Sequence, residues 1–170
     1  LEAMARRPGV RLVRRDEPFN WSHLNNRAAR ESDAPFLVFA NDDMEMRTKG
    51  WDDCLRGQLQ RDGVGAVGAK LLYPDDTVQH AGVLFGWKGS VIHDGLYEPA
   101  DAGGPSGRWS KTHRASAVTG AFLAVRREVF EALGGFDAAR LPVGYSDIDL
   151  CLKLRASGRT VVFTPDVVLT

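Results

Sequence analysis

The chain has 170 residues, 44% hydrophobic and 26% charged, an ordinary balance for a globular domain with a real core. Lys+Arg number 22 and Asp+Glu number 22, and this lack of a basic excess argues against a nucleic-acid partner. No run approaches about eighteen consecutive apolar residues, so no membrane span is predicted, and LEAMARRPGV lacks the apolar core of a signal peptide.

The opening LEAMARR reads as the tail of a helix, and the closing VVLT has no polar exit. Both ends read as cuts through a larger protein, with residues 1–170 forming one domain. Val10 to Val13 is bounded by Pro8-Gly9 and by charges, and reads as a short strand. Asn20 or Ser22 caps a following helix, because a side-chain oxygen there accepts an orphan N–H of the first turn; Pro35 stops that helix. Phe36 to Ala40 is continuously apolar, as in a central strand buried on both faces. Trp51, Leu55 and Leu59 recur at helical spacing in a helix from Lys49 or Gly50 to Arg61, ended by Gly63. Val64 to Tyr73 and Val78 to Phe85 are strands, separated by the turn Pro74-Asp75-Asp76. Residues 87 to 113, with five Gly and two Pro, read as a long loop. Ala115 to Val125 is a strand, Arg127 to Leu133 a helix, and Ser146 caps a last helix that closes at Gly158. Thr160 to Thr164 is a strand, and Val167 begins another. The alternation predicts an α/β fold with a mostly parallel sheet flanked by helices and a Gly-rich insertion.

The most informative residues are Asn41-Asp42-Asp43, where an apolar strand ends. Ligands of open α/β sheets bind outside the carboxyl ends of strands. Two adjacent carboxylates there suit a hard divalent cation that shares substrate phosphates, although Asn and Asp also favour plain turns. Asp147 and Asp149 fall in the first turn of the last helix, where the dipole alone explains negative charge. The functional alternative is a general base at the mouth of a site. Thr119-Gly120-Ala121 sits inside an apolar strand pattern, and its Gly marks either a packing contact or the approach of a ligand. His80 reads as a structural histidine on a strand, and the four His residues show no zinc spacing. Trp87 and Trp109 flank the Gly-rich stretch, as core anchors or as platforms for a sugar. Neither Cys54 nor Cys151 belongs to a CxxC pair, so both read as reduced thiols. There is no P-loop, no GxGxxG and no GxSxG elbow.

Five segments occur in one order: FNWSHLNNRAARES, FLVFANDDMEM, VGAVGAKLLYPDDTVQHAGVLFG, AVTGAFLAVRREVFEALGGFD and YSDIDLCLKLRASGRTVVFTP. Together they resemble glycosyltransferase family 2, the GT-A-fold enzymes that use nucleotide sugars, in the branch that builds O-antigen and other bacterial surface polysaccharides, rhamnosyltransferase-like members included. The resemblance implies a GT-A-like domain and an inverting transfer from a nucleoside-diphosphate sugar to a saccharide or lipid-linked saccharide. It places the family's DXD motif on Asn41-Asp42-Asp43. Asp43 then holds Mn²⁺ or Mg²⁺, while Asp42, Asn41 and Asn26 lie on the donor side. The family's ED-type motif falls on Ser146-Asp147, so Asp147 becomes the catalytic base and Ser146 replaces its acidic neighbour. Thr119, Gly120, Ala121, Asp149 and Trp109 fall on the acceptor side.

The resemblance further implies a cytoplasmic place, free or peripheral at the inner face of the membrane. The family's nucleotide-binding first strand and its metal-ligating His have no counterpart between Leu1 and Thr170, so the chain reads as a piece of a transferase. An open sheet edge would then favour self-association. Two other readings compete: a non-catalytic GT-A-like module that binds carbohydrate or a partner, and a metal-dependent phosphohydrolase built on Asp42-Asp43.

Overall fold

The computed structural model describes residues 2–170. In chain order the elements are α1 (Glu2–Ala5), α2 (Trp21–Arg30), β1 (Phe36–Ala40), α3 (Trp51–Leu59), β2 (Val64–Leu72), β3 (Val78–His80), β4 (Val83–Trp87) and β5 (Ser90–His93). A 3₁₀ stretch at Pro105–Ser110 follows, then β6 (His113–Ala115), β7 (Phe122–Arg126), α4 (Arg127–Ala132), α5 (Ser146–Ala156) and β8 (Thr160–Leu169). Leu1, part of the expected helix tail, lies outside the described residues.

The α/β class is as expected, but the sheet is mixed rather than mostly parallel. Six strands run in the order β1-β7-β2-β8-β6, with β3 on the end of β2. Only β2 and β8 are parallel neighbours; β1–β7, β2–β7, β2–β3 and β6–β8 are antiparallel. The cause lies in the connections. The chain reverses after β2, and β6 and β7 both run opposed to β2 and β8. The chain turns at residues 119–121 and re-enters between β1 and β2, opposed to both.

Burial follows from this order. β2 is buried at all nine positions, and β8 lies beside it. β1 is the edge strand instead of a central one: Leu37 and Phe39 are buried, whereas Val38 is 39% exposed. The sheet separates two apolar cores. Leu55 and Leu59 of α3 pack on Val67, Ala69, Ala124 and Val162. On the other face, Phe130 of α4 and Leu150, Cys151 and Leu154 of α5 pack with Phe39, Leu123, Val125 and Phe163.

Several local expectations are corrected. Val10 to Val13 forms no strand; Val10 and Val13 are exposed, with no neighbouring strand to pair with. Asn20, not Ser22, caps α2: its Oδ1 accepts the His23 N–H at 2.8 Å. Ser22 is buried in the first turn and donates to the Leu141 carbonyl at 2.5 Å. Val78 to Phe85 breaks into β3 and β4 at Gly82, whose φ of 109° does not continue a strand. Ala115 to Val125 breaks likewise, and Thr119-Gly120-Ala121 forms the turn before β7. The expected pair of terminal strands is one strand, β8, with a register irregularity opposite Ala69 and Lys70.

Residues 87–113 are not a free loop. β4 and β5 form a hairpin, and the return segment is anchored on Asp94, which is buried. Its carboxylate accepts from Trp109 Nε1 at 2.9 Å and from Arg108 Nη2 at 2.8 Å, and forms an ion pair with the Arg108 guanidinium, Nε to Oδ2 at 2.6 Å. Lys70 closes the same region from β2, with Nζ donating to the Ala100 carbonyl at 2.6 Å. Burial lowers the Lys70 ammonium's pKa, with Asp101 opposing the shift.

Candidate active site

The C-terminal end of β1 and the N-terminal end of β7 lie at the same end of the sheet because the two strands are antiparallel. Asn41 leaves β1 there, and its N–H donates to the Ala121 carbonyl at 3.0 Å. The turn 119–121 therefore lies directly beside the Asn41-Asp42-Asp43 segment. Beyond it, Glu45 and Thr170 exchange backbone bonds of 2.6 and 2.9 Å, and Arg47 N–H donates to the Val168 carbonyl. The acidic turn is thus held between the ends of β1 and β8.

α5 contributes the third part. Asp147, in its first turn, is fixed at both oxygens: Oδ2 accepts the Gly120 N–H at 2.7 Å and Oδ1 accepts the Ile148 N–H at 2.8 Å. The helix N-terminus favours the anion here. A side chain at Gly120 would crowd this approach, since a Cβ would stand 3.0 Å from the Trp21 ring and 3.2 Å from Asp147 Cβ. Thr119 Oγ1 accepts the Ala121 N–H at 3.3 Å and closes the turn. A cavity of about 280 Å³ results, lined by Trp21, Asn41, residues 119–121 and residues 143–147.

The structure therefore brings together Asn41, Thr119, Gly120, Ala121 and Asp147. Asp42 and Asp43 lie in the adjoining turn, exposed and without hydrogen-bond or ion-pair partners among the described residues. Their oxygens are hard donors left free at an open position, which fits a divalent cation completed by phosphate oxygens. Among the described residues no cluster of three or more His, Cys, Asp or Glu is assembled.

Three expected site residues lie elsewhere. Asn26 clamps Phe136: Nδ2 donates to the Phe136 carbonyl at 2.8 Å and Oδ1 accepts its N–H at 2.9 Å. Asp149 pairs with Lys153 along the helix at 2.6 Å. Trp109 is 8% exposed and serves as the anchor of the 87–113 excursion. The Trp87 side chain lies outside the described residues.

One residue near the site escaped the sequence pattern, and a second is the structural histidine expected on a strand. The N-cap of α5 is Tyr145 and not Ser146; Ser146 is buried as the first helical residue. His80 is fully buried, and its Nε2 accepts the Thr119 N–H at 3.4 Å, which places the ring proton on Nδ1, where it has no partner. Burial, and secondarily the neighbouring His93, pushes its pKa well below 6.5. The cysteines stand apart from this chemistry: burial pushes the Cys151 thiol up to about 12, and burial also raises Cys54.

A family model described as glycosyltransferase like family 2 matches residues 59–170. The chain belongs to this family. It is 45% identical over 156 residues to the uncharacterized protein y4gI of Sinorhizobium fredii, a match covering 92% of the chain and 17% of the relative. It is 46% identical over 150 residues to the O-antigen biosynthesis protein RfbC of Myxococcus xanthus, covering 88% of the chain and 12% of that protein. The chain thus spans less than a fifth of either relative's length.

Two solved glycosyltransferases share the GT-A fold. One is GalNAc-T7 with UDP, GalNAc and Mn²⁺, at a TM-score of 0.70 and 16% identity, covering 92% of this chain and 31% of that one. The other is the mannosyltransferase PcManGT of Pyrobaculum calidifontis with GDP-Man and Mn²⁺, at a TM-score of 0.56 and 23% identity, covering 92% and 36%. The family transfers sugars, and no helix among the described residues is long and apolar enough to cross a membrane.

Proposed function

We propose that the chain is the catalytic part of an inverting glycosyltransferase, one domain of a longer protein. It would move a sugar, hexosyl or rhamnosyl, from a nucleoside-diphosphate donor to a saccharide or lipid-linked saccharide in bacterial surface polysaccharide synthesis, on the cytoplasmic side. The observation that carries this reading is the convergence of Asn41, the turn 119–121 and Asp147 on one cavity beside a free pair of carboxylates.

Asp147 is the general base. Each carboxylate oxygen already accepts one backbone N–H and keeps acceptor capacity for a substrate hydroxyl. The acceptor oxygen forms its bond to the anomeric carbon as the carbon–oxygen bond to the diphosphate breaks. Its proton passes to Asp147, and the nucleoside diphosphate leaves on the opposite face. Asp43, with Asp42 beside it, would hold Mn²⁺ or Mg²⁺, which when bound supplies positive charge to the leaving diphosphate. Asn41 and Asp42 border the donor. The fixed Gly120 N–H keeps the Asp147 carboxylate aimed without reorganisation.

A thermal-shift titration with Mn²⁺ and a panel of nucleoside diphosphates and their sugars tests this. It uses the chain and a version extended at both ends, each beside Asp43→Ala. A ligand at 100 times its Kd stabilises by about 2.7 kcal/mol, with about 2–4 °C gained per kcal/mol in a domain of this size. A shift with metal and one nucleotide that Asp43→Ala abolishes is expected. No response from either version overturns the reading in favour of a non-catalytic module, and donor hydrolysis without any acceptor would mark a phosphohydrolase.

A further inference from the structure

The cavity beside Asp147 has a mixed lining: Asn41, Thr119 and Asp147 are polar, and Trp21, Val143 and Tyr145 are apolar or aromatic. Among the latter, Tyr145 stands in the left-handed region at φ 63°, ψ 5°. Of the non-glycine residues described with positive φ, it alone lines this cavity. A bulky residue is a genuine outlier there, and glycine would take the position freely.

The Tyr145 carbonyl accepts the Asp149 N–H at 2.9 Å, but no side-chain bond among the described residues offsets that strain. The Tyr145 side chain is 64% exposed, and it has no hydrogen bond, ion pair or aromatic contact among the described residues. Val143 beside it is 54% exposed. Strain of this kind concentrates where a ligand is held. The mixed lining also defines the ligand's chemistry. Aromatic rings together with hydroxyl, amide and carboxylate groups suit a ring with one C–H face and a rim of hydroxyls, as in pockets that pair apolar lining with a few placed polar groups.

We infer that Tyr145 stacks on the C–H face of a pyranose seated in this cavity beside Asp147, and so selects the saccharide acceptor. Binding of the pyranose stands on the cavity alone; its role as acceptor rests on the transferase reading. Tyr145 adjoins the reacting hydroxyl's sugar without taking its proton, so the variant changes affinity for the saccharide and not the donor.

The test is saturation-transfer NMR with a panel of methyl pyranosides and short oligosaccharides on the chain, Tyr145→Phe and Tyr145→Gly, with melting temperature and the Mn²⁺–nucleotide shift measured on each. The inference expects saturation of ring C–H protons in at least one saccharide. It expects affinity reduced several-fold to about tenfold in Tyr145→Gly and kept in Tyr145→Phe. It also expects a melting temperature in Tyr145→Gly no lower than the parent's, since glycine relieves the strain. Unchanged affinity in Tyr145→Gly, no saccharide bound by the parent, or a lowered melting temperature in Tyr145→Gly would each overturn it. Failure here with an intact nucleotide shift removes the stacking role alone. Saccharide binding that depends on Tyr145, with no nucleotide shift, removes the transferase reading alone.

Discussion

Asp147 is held by two backbone N–H groups, so its role can be separated from its structural support. In Asp147→Asn the amide oxygen still accepts from Gly120, while the base is gone. Transfer should fall by roughly 10²–10⁴-fold. Stability should drop by roughly 1–3 kcal/mol, for the charge lost at the helix N-terminus and the Ile148 N–H left without its acceptor. Steady-state kinetics beside a melting curve checks both; a variant that keeps full turnover would exclude Asp147 as the base. His80 behaves differently. Its folded pKa lies below the 6.5 of the unfolded chain, so between those values the unfolded state binds the extra proton. Its contribution is complete above about pH 7 and is lost as the pH falls below 6.5, at up to about 1.4 kcal/mol per pH unit. Denaturation between pH 5 and 7 should therefore be steeper in the parent than in His80→Gln; equal slopes would show that His80 takes up its proton equally in the folded and unfolded states. The acidic turn and Asp147 were legible as candidates only through their order among the five family-like segments, since a plain turn and the helix dipole each explain the charge alone. His80 was legible as a structural histidine on a strand; Tyr145 was not, because it owes its place to a backbone conformation that residue type does not announce.

At the scale of elements, the sequence shows apolar runs but not which neighbours they find. β2 and β1 both read as buried strands; only the placement of β7 between them makes one central and the other an edge. The parallel bias failed for the same reason: the chain reverses after β2, so β7 enters opposed to both β1 and β2. The 87–113 excursion misled through composition. Its glycines serve close approach: Gly104, at φ 69°, lies against the Trp109 ring, with no room for a Cβ. Asp94 is the residue that organises the segment, so Asp94→Ala removes the partner of a half-buried Arg108 and of the Trp109 N–H. A loss of roughly 1.5–3 kcal/mol is expected, the scale of a hydrogen bond to a charged group. Amide exchange should quicken across 95–112 while β2 and β8 keep their protection. Equal loss of protection in the sheet would mean that the excursion and the sheet unfold as one unit.

Among the described residues the sheet ends on two edges, the short β6 and the longer β1. Among the described residues β1 bonds only to β7, so its outer edge presents free backbone groups. Beside that edge, Pro35, Phe36, Val38, Trp51 and Leu55 line an apolar groove of about 440 Å³ between β1 and α3. An exposed strand edge with apolar side chains is a template for another strand, and the nearest available one is the same edge of a second copy. The chain by itself should therefore associate through β1, with light-scattering mass rising with concentration. Val38 is 39% exposed and projects on the groove side, away from Leu37 and Phe39. Val38→Lys places a charge on that face, a device by which natural edge strands resist pairing. It should hold the mass at the monomer value while costing the fold little, because the side chain is already partly in water. The decisive comparison is between that variant and Val143→Lys, on the exposed rim of the cavity. If both suppress association equally, general surface charge is responsible; if only Val38→Lys does, the contact is the β1 edge, and the cavity that holds Asp147 stays open in the associated form.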